Sequence, residues 1–421
     1  MVYIGGLITV LAIIAIIKKI EVRLVLFVAG VLMAILGGDI LAAMDAFTET
    51  MIHGTMVPII CTVMGFSFVL KTTECDKHLI NLIATPMTKL VKILIPATVF
   101  VTALLNIALP SAAGLSAAIG PIVIPALAVA GVHPVIAGSA ILAGAFAGPL
   151  SPGNVVNAHL AEVADVNVME VVAAGAPMII LCLVISAAAL TIVAMVRGEN
   201  KGYVPTEEDD FAQDKEFKVN ILKAIVPFFP LLLLVITSPA IGISPHEFSV
   251  PEAMLLGIFI AFLVTLKDPQ EISKSFFNGM GSAYTKIIGI VIGATVFTTG
   301  MEVIGLTGAL IDLMENSETV VSLSAVLGPF ALGAITGSRN AATLAFNGVV
   351  TPNAVMFGFD QLQLGTAAIL SAALGATMSP VAGVTVICAS LAKVNPIELP
   401  KRTYPGMIAA AVVVFISLTF F

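Results

Sequence analysis

The sequence predicts an all-α membrane protein with two inverted repeats, about ten transmembrane helices, two re-entrant helical hairpins and helices broken at the midplane of the bilayer. Three observations predict this fold class: an apolar composition, basic residues that favour one face, and an internal repeat. The 421 residues are 59% hydrophobic and 11% charged, with a mean hydropathy of +1.10, so lipid must cover most of the surface. The net charge of −7, without a basic tract, argues against nucleic acid as a partner.

Apolar stretches of about 20 residues, the length that crosses a bilayer, mark the transmembrane spans. The first, near 2–17, lacks the basic flank and the cleavage site of a signal peptide, and we expect it to be a retained anchor. The other predicted spans lie near 22–40, 54–70, 135–161, 171–196, 221–238, 250–266, 283–300, 361–391 and 404–421. Two of these, 135–161 and 361–391, are broken helices, because Gly, Pro and polar residues interrupt them.

Lys and Arg residues test the topology, because cytoplasmic loops are enriched in them. If the first span runs inward, all of the 19 basic residues except Arg339 fall on the cytoplasmic face. This holds only if the apolar regions 91–130 and 319–355 are re-entrant hairpins that enter and leave by the same face. The interpretation predicts a multi-pass protein of the bacterial inner membrane with both termini in the periplasm and residues 197–218 as a cytoplasmic linker.

The chain also repeats at an offset of 228 residues, at which 137–167 align without a gap with 365–395. The first repeat is predicted at 1–196 and the second at 219–421, each with five spans and one hairpin. Because five is odd, the second repeat enters the membrane upside down relative to the first. Inverted repeats of this kind are typical of secondary transporters, whose substrate site lies near the midplane between the repeats.

Four interruptions at membrane depth are paired by the repeat: Pro110–Gly114 with Thr336–Ala342 at the hairpin tips, and Gly148–Asn154 with Thr377–Gly383 in the broken helices. A single interruption of this type is commonly a kink in a packed helix. Four paired ones indicate a site, because lipid cannot satisfy the freed backbone groups and such breaks occur inside protein or beside a water-filled cavity. Free N–H groups at half-helix N-termini favour anions, and exposed carbonyl groups favour cations.

The candidate substrate-binding residues are those of the four breaks and their polar neighbours. They are Ser111, Ala112, Gly114, Ser151, Pro152, Gly153, Asn154, Asn157, Gly337, Ser338, Arg339, Asn340, Thr343, Ser379, Pro380, Gly383 and Thr385. Their hydroxyl and amide groups, with nearby carbonyl groups, offer oxygen ligands for a coupling Na⁺ near Ser111, Asn154, Asn340 and Ser379. Coupling to H⁺ is the alternative, and no other cofactor is expected.

Arg339 is the basic residue that the topology cannot place in the cytoplasm. An unpaired Arg within a membrane is costly and usually functional, and its guanidinium group matches a carboxylate. The alternatives are an Arg that reaches the outer surface and one that caps carbonyl groups inside the hairpin. His159 follows the first broken-helix break and is a candidate pH sensor, substrate contact or structural hydrogen-bonding group.

Several segments resemble the C4-dicarboxylate uptake C (anaerobic C4-dicarboxylate carrier) family of the ion transporter superfamily. They are Val25–Gly30, Ser111–Leu115, Gly337–Ala341, and Ser379–Val384 followed by Ala392-Lys393 and Pro400–Thr403. The chain departs from that family at Arg339, where the family tip has Gly, and at Asn154-Val155 in the first broken helix. The resemblance implies a homodimer, an elevator-type motion, and succinate, fumarate or malate as substrates.

Together these features predict a secondary active transporter of organic anions, with C4-dicarboxylates favoured, that works in the lipid bilayer by ion-coupled symport or by exchange (antiport). Open alternatives are a cation/proton antiporter on the same scaffold and a carrier of another carboxylate or an amino acid. Arg339 at the site would repel cations. An enzyme is not expected, because no nucleophile–base set, metal-ligand spacing or phosphate loop is present in the sequence.

Overall fold

The structure is a computed structural model and describes residues 1–18, 20–87, 93–205, 217–237, 248–309 and 318–420. Every regular element within these ranges is helical. The first two residues of the predicted hairpin 91–130, half of the predicted linker 197–218 and the end of the predicted span 221–238 lie outside the described residues.

The first half of the chain begins with α1 (Val2–Ile17), α2 (Val22–Gly37), α3 (Ile40–Met51), α4 (Met56–Thr72) and α5 (Cys75–Met87). The first helix pair follows as α6 (Leu94–Ala108) and α7 (Ala112–Val129), then α8 (Pro134–Gly144), a 3₁₀ turn (Ala145–Leu150), α9 (Val155–Val163) and α10 (Val168–Val196). Helix α3 was not predicted. It begins because Gly38 adopts a left-handed φ of 91° and the Asp39 side chain accepts the Ala42 N–H at 3.1 Å.

The second half begins with α11 (Ile221–Ile225), α12 (Phe229–Thr237), α13 (Val250–Thr265) and α14 (Pro269–Ala283). A π-helical turn (Tyr284–Ile288) leads into α15 (Gly289–Val303), and α16 (Glu318–Thr336) and α17 (Arg339–Val349) form the second pair. A 3₁₀ turn (Thr351–Phe357), α18 (Gln361–Thr377), α19 (Gly383–Leu391) and α20 (Pro400–Phe420) complete the chain.

Helix bounds in the two halves recur at the offset of the sequence alignment. Helices α2 and α13 each have 16 residues and start 228 residues apart, and α9 and α19 each have 9 residues with the same separation. The turns after α9 and α19 also match, because Asp165 and Lys393 adopt left-handed φ angles of 52° and 54°. These matching bounds agree with the repeat that the sequence predicts.

Several helices are suited to a bilayer by length and composition. Six within the described residues qualify, or seven if α3 and α4, which are bent by 44° at their junction, count as one span. Five shorter apolar helices have 10–17 residues. These features agree with a multi-pass membrane protein, and the count of ten spans stays a prediction. One predicted span, 283–300, is longer in the structure, since its helical run extends from Pro269 to Val303.

The helices pack into two groups. The frame helices, α1–α4 and α11–α15, include the pairs α2–α15 and α4–α14, and the hairpin helices, α6–α10 and α16–α20, include α16–α18 and α10–α20. Glycine permits the closest approach in the frame, where a Cβ atom at Gly300 would lie 2.3 Å from the Gly30 carbonyl oxygen. Such small-residue contacts bring backbones together in membrane proteins.

Candidate functional site

A cavity of about 340 Å³ lies between the frame helices and the hairpin helices. This volume is in the usual range for small-molecule sites. The hairpin helices contribute Asn106, Pro110–Ala113, Leu142, Gly148, Gly153–Val155, Gly337–Asn340, Ala376-Thr377 and Ala382–Val384, and the frame helices contribute Ile60, Val63, Met64, Lys286 and Ile287. The cavity thus collects residues from all four predicted breaks.

Four helix N-termini reach the cavity. Helices α7, α9, α17 and α19 begin there, after Ser111, Asn154, Ser338 and Ala382. The serine hydroxyl groups cap their own helices, each accepting a backbone N–H at 3.2 Å. Because the positive ends of four helix dipoles point toward one volume, the backbone alone favours an anion there.

Gly337 brings the tip of the second hairpin against the start of α19. Its φ is 70°, and a Cβ atom at this position would lie 2.8 Å from the backbone nitrogen and Cα of Ala382. Both the left-handed backbone and the close approach require glycine. The two breaks of the second half are therefore in direct contact beside the cavity.

Arg339 extends from the second hairpin to the first broken helix. Its Nη1 donates to the Ala145 carbonyl oxygen at 2.9 Å, and Asn106 Nδ2 donates to the same oxygen at 2.8 Å. Within the described part of the chain, no carboxylate pairs with Arg339. The guanidinium group thus caps a carbonyl of the other half rather than of its own hairpin, and it uses only one of its five N–H donors to do so.

Three nitrogen donors lie close to Gly148, which lines the cavity. A Cβ atom there would lie 3.1 Å from Arg339 Nη1, 3.1 Å from Asn106 Nδ2 and 3.3 Å from Asn154 Nδ2. The absence of a side chain at Gly148 keeps this cluster open to the cavity.

The side-chain charges of the cavity have one sign. Arg339 and Lys286 are basic, and none of the described lining residues is acidic. Lys286 lies midway along the helical run from Pro269 to Val303 and lines the cavity, and its predicted cytoplasmic side stays a prediction.

The predicted site residues divide into two sets. Those that line the cavity are Ser111, Ala112, Gly153, Asn154, Gly337, Ser338, Arg339, Asn340 and Gly383. Those that lie outside its lining are Gly114, Ser151, Pro152, Asn157, Thr343, Ser379, Pro380 and Thr385. Of the four residues proposed around Na⁺, three line the cavity and Ser379 is buried behind it.

Asn157 supports the first break from behind. Its Nδ2 donates to the carbonyl oxygen atoms of Pro149 at 2.7 Å and of Ser151 at 2.9 Å. These bonds satisfy two backbone acceptors that the break would otherwise leave buried and unpaired.

Three polar residues of the cavity lining were not predicted from the sequence: Asn106, Thr377 and Lys286. Asn106 is the one amide side chain in the apolar run 93–109, and a buried amide in such a run signals a hydrogen-bonding task. Lys286 gave no such signal, since it lay at the edge of the predicted span.

His159 lies on α9 below the break, where its Nε2 is buried without a hydrogen-bond partner among the described residues. One turn further on, Glu162 pairs with Nε2 of His53 at 2.7 Å. This contact joins α9 of the hairpin helices to the α3–α4 junction of the frame helices. The role of His159 stays a prediction.

An all-helical apolar fold around a half-enclosed polar cavity defines a multi-pass membrane transporter. The model of the C4-dicarboxylate anaerobic carrier family, DcuC, matches residues 65–420, and the chain belongs to this family.

Individual relatives agree with this assignment. An uncharacterized transporter of Haemophilus influenzae is 40% identical over 277 residues, which are 64% of this chain and 99% of the relative. The anaerobic C4-dicarboxylate transporter DcuC of Escherichia coli K12 is 28% identical over 46% of this chain and 43% of its own length. A Vibrio cholerae protein named as an anaerobic C4-dicarboxylate transporter DcuC is 26% identical over 86% of this chain and 81% of its own length.

A solved structure shares the fold. The Neisseria gonorrhoeae protein MtrF, described with a class of antimetabolite efflux pumps, superposes with a TM-score of 0.56 at 14% identity. The match covers 92% of this chain and 83% of MtrF.

Proposed function

We propose that the protein is a secondary active transporter of C4-dicarboxylates, such as succinate, fumarate and malate, in the bacterial inner membrane. The observation that carries this proposal is the convergence of four helix N-termini and Arg339 on one cavity whose described lining has no acidic side chain. A dianion that leaves water needs compensating charge, because unpaired burial of charge is very costly. The names of the Escherichia coli and Vibrio cholerae relatives support the same substrate class.

We further propose that α6–α7 and α16–α17 are re-entrant hairpins in two inverted repeats. The recurrence of helix bounds at the 228-residue offset supports this arrangement, as does the position of both pair tips at one cavity. The cavity lies at the boundary between the two helix groups. In an elevator-type motion, the hairpin helices would carry the substrate past the frame helices, and the frame would form the homodimer.

Coupling to Na⁺ by symport is our preferred version, with H⁺ symport and dicarboxylate exchange as alternatives. The hydroxyl and amide oxygen atoms of Ser111, Asn154 and Asn340 at the cavity support a cation beside the anion. A cation/proton antiporter is disfavoured, because Arg339 and Lys286 would repel its substrate.

Uptake of labelled succinate into proteoliposomes tests the function. We expect saturable uptake that unlabelled fumarate and malate inhibit at lower concentrations than butyrate does. An inward Na⁺ gradient, an inward H⁺ gradient and internal unlabelled succinate are imposed separately to distinguish the three modes. Absence of uptake in all three conditions, with protein that is folded by its thermal melt, would refute the proposal.

A further inference from the structure

We propose that Lys286 is a second cationic contact for the substrate, which binds the carboxylate distal to the one at Arg339. This inference rests on the proposed function and concerns how the same cavity recognises a dianion. It assigns the preference for two carboxylates over one to a pair of residues, one on each side of the cavity.

The wall formed by the frame helices is the first support. Of the five described frame residues that line the cavity, Ile60, Val63, Met64 and Ile287 are apolar, and only Lys286 carries a polar group. Arg339 and the helix N-termini all belong to the opposite wall. A ligand with a single anionic end would be satisfied by that wall alone, whereas a second anionic end that faces the frame meets Lys286, the charged residue of the described frame lining.

The unpaired charge of Lys286 is the second support. Lys286 lies midway along the helical run from Pro269 to Val303, where the amphipathic α14 leads into the apolar α15, and its side chain is exposed. None of the described residues forms an ion pair with Lys286. Its charge is thus not used for packing within the frame.

The backbone that carries Lys286 is the third support. Lys286 is the central residue of the π-helical turn Tyr284–Ile288, and single π-turns inside α-helices are frequent at functional sites. Two side chains hold this turn in place. The Arg23 guanidinium group donates to the Thr285 carbonyl oxygen, and the Tyr284 hydroxyl donates to the Met51 carbonyl oxygen at 3.2 Å. The turn is therefore fixed to α2 and α3, which positions Lys286 against the cavity.

Replacement of Lys286 by Cys, followed by thiol modification, tests the charge within a single folded protein. The four native cysteines are buried and should react slowly with polar reagents. We expect Lys286→Cys to bind succinate about 10-fold more weakly than the parent protein, as suits the loss of one partly exposed charge-assisted contact. An aminoethyl methanethiosulfonate should restore binding, a neutral methyl reagent should not, and a sulfonate reagent should weaken binding further.

The matched ligand is butyrate, which has the same carbon chain and one carboxylate. We expect its affinity to be equal in the parent protein and in Lys286→Cys, because Arg339 and the helix N-termini remain. The matched variant is Lys274→Gln, an exposed lysine on α14 outside the cavity lining, which should bind both ligands as the parent protein does.

The outcomes separate this inference from the proposed function. If the parent protein neither binds nor transports succinate, both ideas fail. If the parent protein transports succinate, and modification of Lys286→Cys by the three reagents leaves its affinity for succinate unchanged, then only the role of Lys286 is refuted. An equal loss for succinate and butyrate would also refute it, because that result indicates a general disturbance of the cavity.

Discussion

The two broken helices align in sequence, but they differ in the hydrogen bonds that their buried oxygen atoms form. In the first break, side chains donate to every carbonyl oxygen named above: Arg339 and Asn106 to Ala145, and Asn157 to Pro149 and Ser151. The protein itself thereby completes the hydrogen bonding that the interruption of the helix removed.

Hydrogen bonding is less complete in the second break. Ser379 and Thr385, which align with Ser151 and Asn157 at the 228-residue offset, have buried hydroxyl groups without a hydrogen-bond partner among the described residues. A buried polar group without a partner costs free energy, and it persists where a ligand or an ion uses it. Side chains donate to the named carbonyl groups of the first break, whereas the second keeps two buried hydroxyl groups without a described partner, and we propose these as further ligands of a coupling cation.

The largest expected effect concerns Arg339, which connects the second hairpin to the first broken helix. Arg339→Gln should lower substrate affinity by about 2–5 kcal/mol, or roughly 30- to several-thousand-fold, because it removes a charge-assisted contact to a carboxylate. Arg339→Lys should recover only part of the loss, since Lys cannot form the bidentate geometry. Substrate affinity and melting temperature are measured on the same purified variants.

A role for Arg339 as a carbonyl cap alone predicts the opposite pattern, with reduced stability and unchanged affinity. Asn106 would still donate to Ala145 in either variant, so we expect only a small loss of stability. Near-native affinity in Arg339→Gln would therefore exclude its role in substrate binding.

The next effect tests the difference between the breaks directly. Asn157→Ala leaves the carbonyl groups of Pro149 and Ser151 without their donor, and each buried unpaired acceptor costs about 1–3 kcal/mol. Thr385→Val keeps the side-chain shape and removes a hydroxyl group that has no described partner, so stability in Na⁺-free buffer should stay the same or rise. Thermal melts in detergent compare the two variants, and an equal loss in both would contradict the distinction.

The smallest energetic effect is that of the cation. At about ten times its Kd, Na⁺ should stabilise the parent protein by about 1.4 kcal/mol relative to choline at fixed pH. Ser379→Ala and Thr385→Val should reduce this stabilisation and the Na⁺ dependence of uptake together. If Na⁺, Li⁺ and choline give the same melting temperature and uptake, the sodium version fails and proton symport or exchange is preferred.

Thiol labelling of the linker tests the predicted topology, and we expect no labelling from outside the cell. The distribution of basic residues predicts that the linker 197–218 faces the cytoplasm, so Glu208→Cys should not react with a membrane-impermeant thiol reagent in intact cells. The same variant should react after the cells are permeabilised. Reaction from outside would contradict the predicted topology.

The breaks themselves were predictable from sequence because their signal is local: Gly, Pro and polar residues within apolar runs. Which polar groups reach the cavity was not predictable in the same way. Gly383 lines it while Thr385, two residues later, faces away, and only the packed orientation of α19 decides between them. The position of Lys286 in the cavity lining was not predicted because α14 is amphipathic, and a search for apolar spans does not detect the first part of the helical run.

The bond between Arg339 and the Ala145 carbonyl oxygen has a consequence for conformational entropy. A long Arg side chain that is free in solution loses up to about 2 kcal/mol of rotamer entropy when a ligand fixes it. Here folding has already fixed Nη1 of the guanidinium group at 2.9 Å from a backbone acceptor, and the same nitrogen lies beside Gly148. A carboxylate that enters the cavity meets a side chain already ordered before binding, so more of each new hydrogen bond contributes to affinity.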